Sequence, residues 1–168
     1  MKNLKKKFLL ILLTVILTGA AIRGYFYFRN RDERALRALV SELENSAAKR
    51  PGKSQALALL DAATPERIFA PQVEITSDIP KMKRSFTLKE IGQTLVAMKK
   101  SFSTAKLDIT VDSITVHQDT ATVTGEAIFS GSSSRGSFRE LRQLILGCKK
   151  IDGEWKIISV SAEAAIVR

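Results

Sequence analysis

From Lys106 to Ile166 the sequence keeps a period of two, and this stretch constrains the fold more than any other part of the 168 residues. Leu107, Ile109 and Val111 alternate with Asp108, Thr110 and Asp112. Such alternation buries one face of a strand and leaves the other in water. It slips at Asp112-Ser113 and resumes with Ile114 and Val116, as a bulge or sharp bend would require. Asp119 turns the chain. Ala121, Val123, Ala127 and Phe129 then face one side, opposite Thr120, Thr122, Thr124 and Glu126. The serine- and glycine-rich stretch 130–137 reads as a flexible hairpin connection. A long strand over about 138–151 carries Cys148 at a buried position. Asp152-Gly153 is a tight hairpin turn, and a last strand covers 154–166. The simplest arrangement is a four-strand antiparallel meander.

The residues before it have helical spacing. Leu36, Leu39, Val40, Leu43 and Ala47 recur on one face of a helix over 32–49, which Arg50-Pro51-Gly52 ends. Ser54 caps a second helix, QALALLDAA. Pro65 suits the first position of a third short turn, which brings Ile68 and Phe69 to the core and ends at Pro71. Short strands are expected over 73–76 and 82–86. Thr87 and Glu90 have the spacing of a capping box for a helix over 88–102. Its buried stripe is Leu88, Ile91, Leu95, Met98 and Phe102. These pieces make an α+β domain. It is expected to be a curved, mostly antiparallel sheet with three to four helices on its concave side, spanning 30–168.

Residues 1–29 read as a membrane-directing segment. MKNLKKK is followed by an apolar run from Phe8 to Ile22. That run is short of the roughly 20 residues that cross a bilayer as a helix. Tyr25, Phe26, Tyr27 and Phe28 extend it with residues that favour the membrane interface, and Arg23 can snorkel. One reading is an uncleaved signal anchor with a transmembrane helix at about 7–28. The other is a cleaved signal peptide, with Gly19, Ala20 and Ala21 near the cleavage site and a secreted product. The leading lysines favour a cytoplasmic N-terminus and an exported, periplasmic body, held to the cytoplasmic membrane by a single pass.

The net charge of +10 suggests a nucleic-acid partner until it is divided. Six of the 27 basic residues and none of the 17 acidic ones lie in 1–29, leaving 21 against 17 and a net of +4 for the body. Both signs are interspersed there, which excludes a polyanion-binding stripe. The densest basic spot, Lys81 to Arg84, reads as a loop or strand edge.

The order of elements resembles the nuclear transport factor 2-like superfamily, also called cystatin-like. PERIFAPQVEI, TLKEIGQTLVAMKKSF and the closing KKIDGEWKIISVSAE carry the resemblance over roughly 32–167. It implies a pocket between helices and sheet, lined in the enzymes of the superfamily by histidine–aspartate or tyrosine–aspartate arrangements. The body here has one histidine, His117, and no tyrosine, since both lie at 25 and 27. No catalytic residue, cofactor site or metal site is assigned. His117 stands at a strand end. Glu126 and Arg139 would form a polar pocket floor if they pointed into the cone, and a surface pair, like Glu140–Arg142, if they did not. Glu126, Arg139 and His117 are therefore the ligand-pocket candidates. Trp155 is expected to anchor the sheet packing.

These readings lead to a membrane-tethered, non-catalytic domain that binds a protein partner or pairs with itself through the sheet face as a homodimer. The alternative is a small-molecule binder or enzyme, of isomerase or dehydratase type, using the cone pocket.

Overall fold

The computed structural model describes residues 31–49, 65–78, 81–134 and 136–165. The expected anchor at 7–28 and the helix expected after Ser54 lie outside these residues. Among the described residues no helix is long and apolar enough to cross a membrane. The chain divides into two compact units, Met1–Arg34 and Ala35–Arg168, and the account below concerns the second.

Helix α1, described over 31–47, buries Leu36, Leu39, Val40 and Ala47. The single turn α2, Pro65–Ile68, leads directly into β1, Phe69–Asp78. Strand β2, Lys81–Thr87, passes into helix α3, Leu88–Ser101. The capping box at its start is complete. The Thr87 side chain accepts from the Glu90 N–H at 3.3 Å, and Glu90 Oε2 accepts from the Thr87 N–H at 2.8 Å. This bonding, with Arg84 nearby, holds the Glu90 carboxyl below the usual carboxylate range. Ile91 of α3 is buried, with Leu88 and Leu95 packed beside the core.

The remaining strands are β3 (Thr104–His117), β4 (Thr120–Ser133), β5 (Gly136–Ile151) and β6 (Glu154–Ala164). The sheet has six strands in the order β2-β1-β6-β5-β4-β3. The meander is as expected, and among the described strands only the β1–β6 contact is parallel. Val123, Leu146, Cys148 and Ile157 on the helix-facing side join Leu36, Val73 and Ile91 in one core. Trp155 is buried, and the Lys150 ammonium lies 4.9 Å from its ring centre.

Two irregularities interrupt the meander. One is the slip between Val111 and Ser113, where sequence alternation places it; the other is between Gly147 and Cys148 on β5. A glycine stands at each. A Cβ on Gly125 would drive into the Thr110 carbonyl, and one on Gly147 into the Ser159 hydroxyl. Gly125 needs a residue without a side chain because the β3 backbone crowds it, whereas at Gly147 the Ser159 hydroxyl can rotate away. The Asp152-Gly153 turn has positive φ at both residues, 51° and 83°, as a type I′ hairpin needs.

Two expectations are corrected. The serine-rich stretch 130–137 is mostly strand: Ser130 pairs with Arg139 and Ser132 with Ser137. Small polar side chains suit a ladder whose bonds are made by backbone. Pro71 does not end the segment before β1 but lies within the strand. It sits where the β1–β6 register breaks, between Phe69 and Glu74, and before the β2 pairing starts at Gln72. A residue lacking an N–H is tolerated at such an irregularity.

Both sheet edges are guarded. On β2, Lys81, Lys83 and Arg84 are exposed, a charged edge that discourages further pairing. On β3, the end of α1 covers the first part of the strand, at Ala105 and Ile109. Lys49 and Ala105 exchange backbone bonds of 2.7 and 3.1 Å, and Glu44 Oε1 accepts from the Ile109 N–H at 2.6 Å.

Candidate functional site

The strand register decides which side chains share a face. On β4 the odd positions Ala121, Val123 and Ala127 are buried against the helices, so the even positions face outward. Opposed residues point the same way. Arg142 lies opposite Ala127 and Ala164, which places its side chain on the helix-facing side. Its side chain is only 16% exposed. Nη1 donates to Asp78 Oδ1 at 3.0 Å, Nε to Glu140 Oε1 at 2.9 Å, and Nη2 also contacts Glu140. Asp78 Oδ2 accepts from the Ala164 N–H at 2.6 Å. Arg142 thus reaches past β6 to β1 and joins three strands at one end of the concave side.

Beside it stands an aromatic group. Phe129 lies opposite Glu140 and Phe138 opposite Gly131. The rings of Phe102, Phe129 and Phe138 sit 4.9–5.9 Å apart, centre to centre. This end of the concave side therefore pairs an ionic cluster with an apolar wall. A guanidinium that stays charged binds and orients but does not move protons. The cluster can hold a polar or charged group, and Asp78 and Glu140 already occupy it.

The sequence candidates fall elsewhere. Glu126 lies opposite Gln143 and Arg139 opposite Ser130, both outward and exposed, four positions apart along the sheet. They are not cross-strand partners. Glu140 and Arg142 are bonded as neighbours along β5 rather than across strands. His117 is exposed at the end of β3, in the row of Thr120 and Lys149. Seven positions of β5 separate that row from Arg142, about 23 Å at strand rise. The structure does not bring the three together. The inward charged residue that the sequence reading left on the surface is Arg142. Its signal was parity: it shares the even register of Leu144, Leu146 and Cys148.

Among the described residues no three of His, Cys, Asp and Glu gather as a metal-binding group. Cys148 is 1% exposed, and burial pushes its thiol up to about 12.

The outward face has its own character. Leu141 and Ile145 are each 41% exposed. Leu141 lies opposite Ile128, and Ile145 between Thr124 and Ser161. Ser113 and Thr124 share a hydrogen bond of 2.8 Å between their hydroxyls. Between those two rows lie Glu126, Gln143 and Glu163, so the face carries two aliphatic positions with hydroxyls beside them, separated by a row that bears two exposed carboxylates.

No family model and no curated protein matches the chain. Solved structures do. A protein from Kribbella flavida superposes with a TM-score of 0.68 at 18% identity, over 82% of this chain and 93% of that one. A nuclear transport factor 2-like superfamily protein from Salmonella enterica gives 0.62 at 13% identity, over 83% and 94%. A protein from Novosphingobium aromaticivorans, provisionally titled a scytalone dehydratase, gives 0.61 at 16% identity, over 83% and 91%. At these identities the likeness establishes the fold. It is the nuclear transport factor 2-like, or cystatin-like, α+β fold.

Proposed function

We propose that this chain is a non-catalytic domain of the nuclear transport factor 2-like fold that pairs with a second copy of itself through the outward sheet face. The observation that carries this reading is the pair of exposed aliphatic side chains on that face, Leu141 and Ile145. The β2 edge carries charge and α1 covers the first part of the β3 edge, both of which discourage pairing along those stretches. A two-fold contact needs a self-complementary patch; the aliphatic side chains, with the Thr124 and Ser161 hydroxyls beside Ile145, supply its apolar part, and the exposed Glu126 and Glu163 between them must stay hydrated or offset from their copies.

The magnitude sets the strength. Burying the exposed part of Leu141 and Ile145 contributes on the order of 1 kcal/mol per side chain. Four such side chains across a dimer compare with about 4–15 kcal/mol of lost freedom on association. The dimer is therefore weak in dilute solution. A membrane tether through residues 7–28, the second part of this proposal, places copies side by side and raises their effective concentration. On this reading the domain stands outside the cytoplasmic membrane.

The test is sedimentation of the intact chain in detergent over a range of concentrations, beside Ile145→Asp. The expected result is a monomer–dimer equilibrium weakened at least tenfold by the buried charge. A monomer at all concentrations, or a dimer indifferent to Ile145→Asp, overturns the reading.

A second reading, a small-molecule binder on the helix-facing side, has the Phe102, Phe129 and Phe138 rings in its favour. The Arg142 guanidinium beside them is already engaged by Asp78 and Glu140. His117 lies too far along the sheet to serve this end as a base.

A further inference from the structure

Towards the β4–β5 hairpin, the outward face stops being aliphatic. Lys106, Ser130 and Arg139 lie in one cross-strand row, and Thr104, Ser132 and Ser137 in the next. Thr104 Oγ1 and Ser132 Oγ share a hydrogen bond of 2.7 Å. The end of α1, with Glu44 and Lys49, stands beside these rows and turns them into an open trough of about 960 Å³.

The charges lining the trough are not equally engaged. Glu44 is bonded to the Ile109 N–H. Lys49 Nζ donates to the Lys99 and Phe102 carbonyls at 2.5 Å each, tying down the end of α3. Lys106 Nζ is 2.6 Å from Asp108 Oδ1. Among the described residues, Arg139 alone of the basic groups lining the trough makes no hydrogen bond or ion pair. An exposed guanidinium fork with hydroxyls at its side suits an oxyanion. Two strand spacings, about 10 Å, separate the backbones of Lys106 and Arg139, which leaves room for one such group over Ser130.

We propose that this trough binds a small soluble ligand that carries one phosphate-type oxyanion together with hydroxyl groups. Arg139 takes the oxyanion, Lys106 shares it, and Ser130 donates from beneath. Thr104, Ser132 and Ser137 both donate and accept, which suits a polyhydroxylated body. The carboxylates of Glu44 and Asp108 on the walls repel an extended anionic surface. That disfavours a membrane or a nucleic acid and favours a single compact anion. The site is separate from the Arg142 cluster, which is on the other face. It lies two positions along β5 from Leu141, at the rim of the proposed dimer contact.

The test is calorimetric titration of the full chain with inorganic phosphate, glucose 6-phosphate and glucose, at low and high salt. Glucose 6-phosphate is expected to bind saturably and more tightly than phosphate, glucose not to bind, and salt to weaken binding. Arg139→Gln should weaken it about tenfold. Arg139→Lys should retain part of the affinity, and both variants should melt with the wild type. Ile145→Asp should bind as the wild type does, which separates this site from dimer formation. No saturable binding of either phosphate overturns the proposal, as does equal affinity in Arg139→Gln. Arg139-dependent attachment to phosphatidylglycerol vesicles without binding of the soluble phosphates also overturns it.

Discussion

Arg142 shows how much one register position decides. An arginine among Leu141, Gln143 and Leu144 reads from composition as a surface residue, yet parity turns it inward beside Ala127. There it needs partners, since a buried charge without them is costly, and Asp78 and Glu140 supply them from β1 and β5. Cys148 illustrates the opposite outcome. Its thiol has no charged partner to stabilise a thiolate, and desolvation alone raises it from an ordinary 9.0 to about 12. The thiolate is the reactive form, so Cys148 should resist thiol reagents in the native chain at pH 8 and react once the chain is unfolded. Titration with a chromogenic disulfide, with and without denaturant, checks this. The linkage has a definite sign. Between 9.0 and about 12 the unfolded chain loses this proton while the native chain keeps it, so native stability falls as pH rises through that window.

At the scale of elements, those written in local chemistry were legible in the sequence. Thr87 and Glu90 announce the start of α3, Asp152-Gly153 the last hairpin, and the slip at Asp112 the bulge. The start of α3 depends on that box: Thr87→Ala should cost about 1 kcal/mol, measurable as a lower midpoint in urea unfolding. What sequence did not show is how the first two strands join the meander. Periodicity reports the face a residue occupies, not its neighbour, so nothing local placed β1 parallel to β6. The serine-rich stretch misled for a related reason: its composition suits a loop, but its backbone joins the β3–β4–β5 ladders. For the candidate site the same limit applied. The outward parity of Glu126 was visible, whereas the reach of Arg142 to Asp78 depends on the β1–β6 neighbourhood. Gly125 became meaningful only once the β3 backbone was seen to crowd it.

Over the whole molecule, helices cover one side of the sheet, lysines line the β2 edge, α1 covers the first part of the β3 edge, and the outward face carries the unspent apolar surface. Membership of this fold does not fix a function, because its concave side can be a reaction chamber or a packed core. Here that side holds Arg142 locked between two carboxylates, and the one histidine is far away on the outside. The central claim is therefore about the outward face, and a crosslink tests it most directly. The intact chain with Ile145→Cys, oxidised in membranes, should give a disulfide-linked dimer on a non-reducing gel. The buried Cys148 does not compete, and His117→Cys, exposed at the far end of β3, should give little. A strong dimer through position 117 with none through 145 would contradict the account.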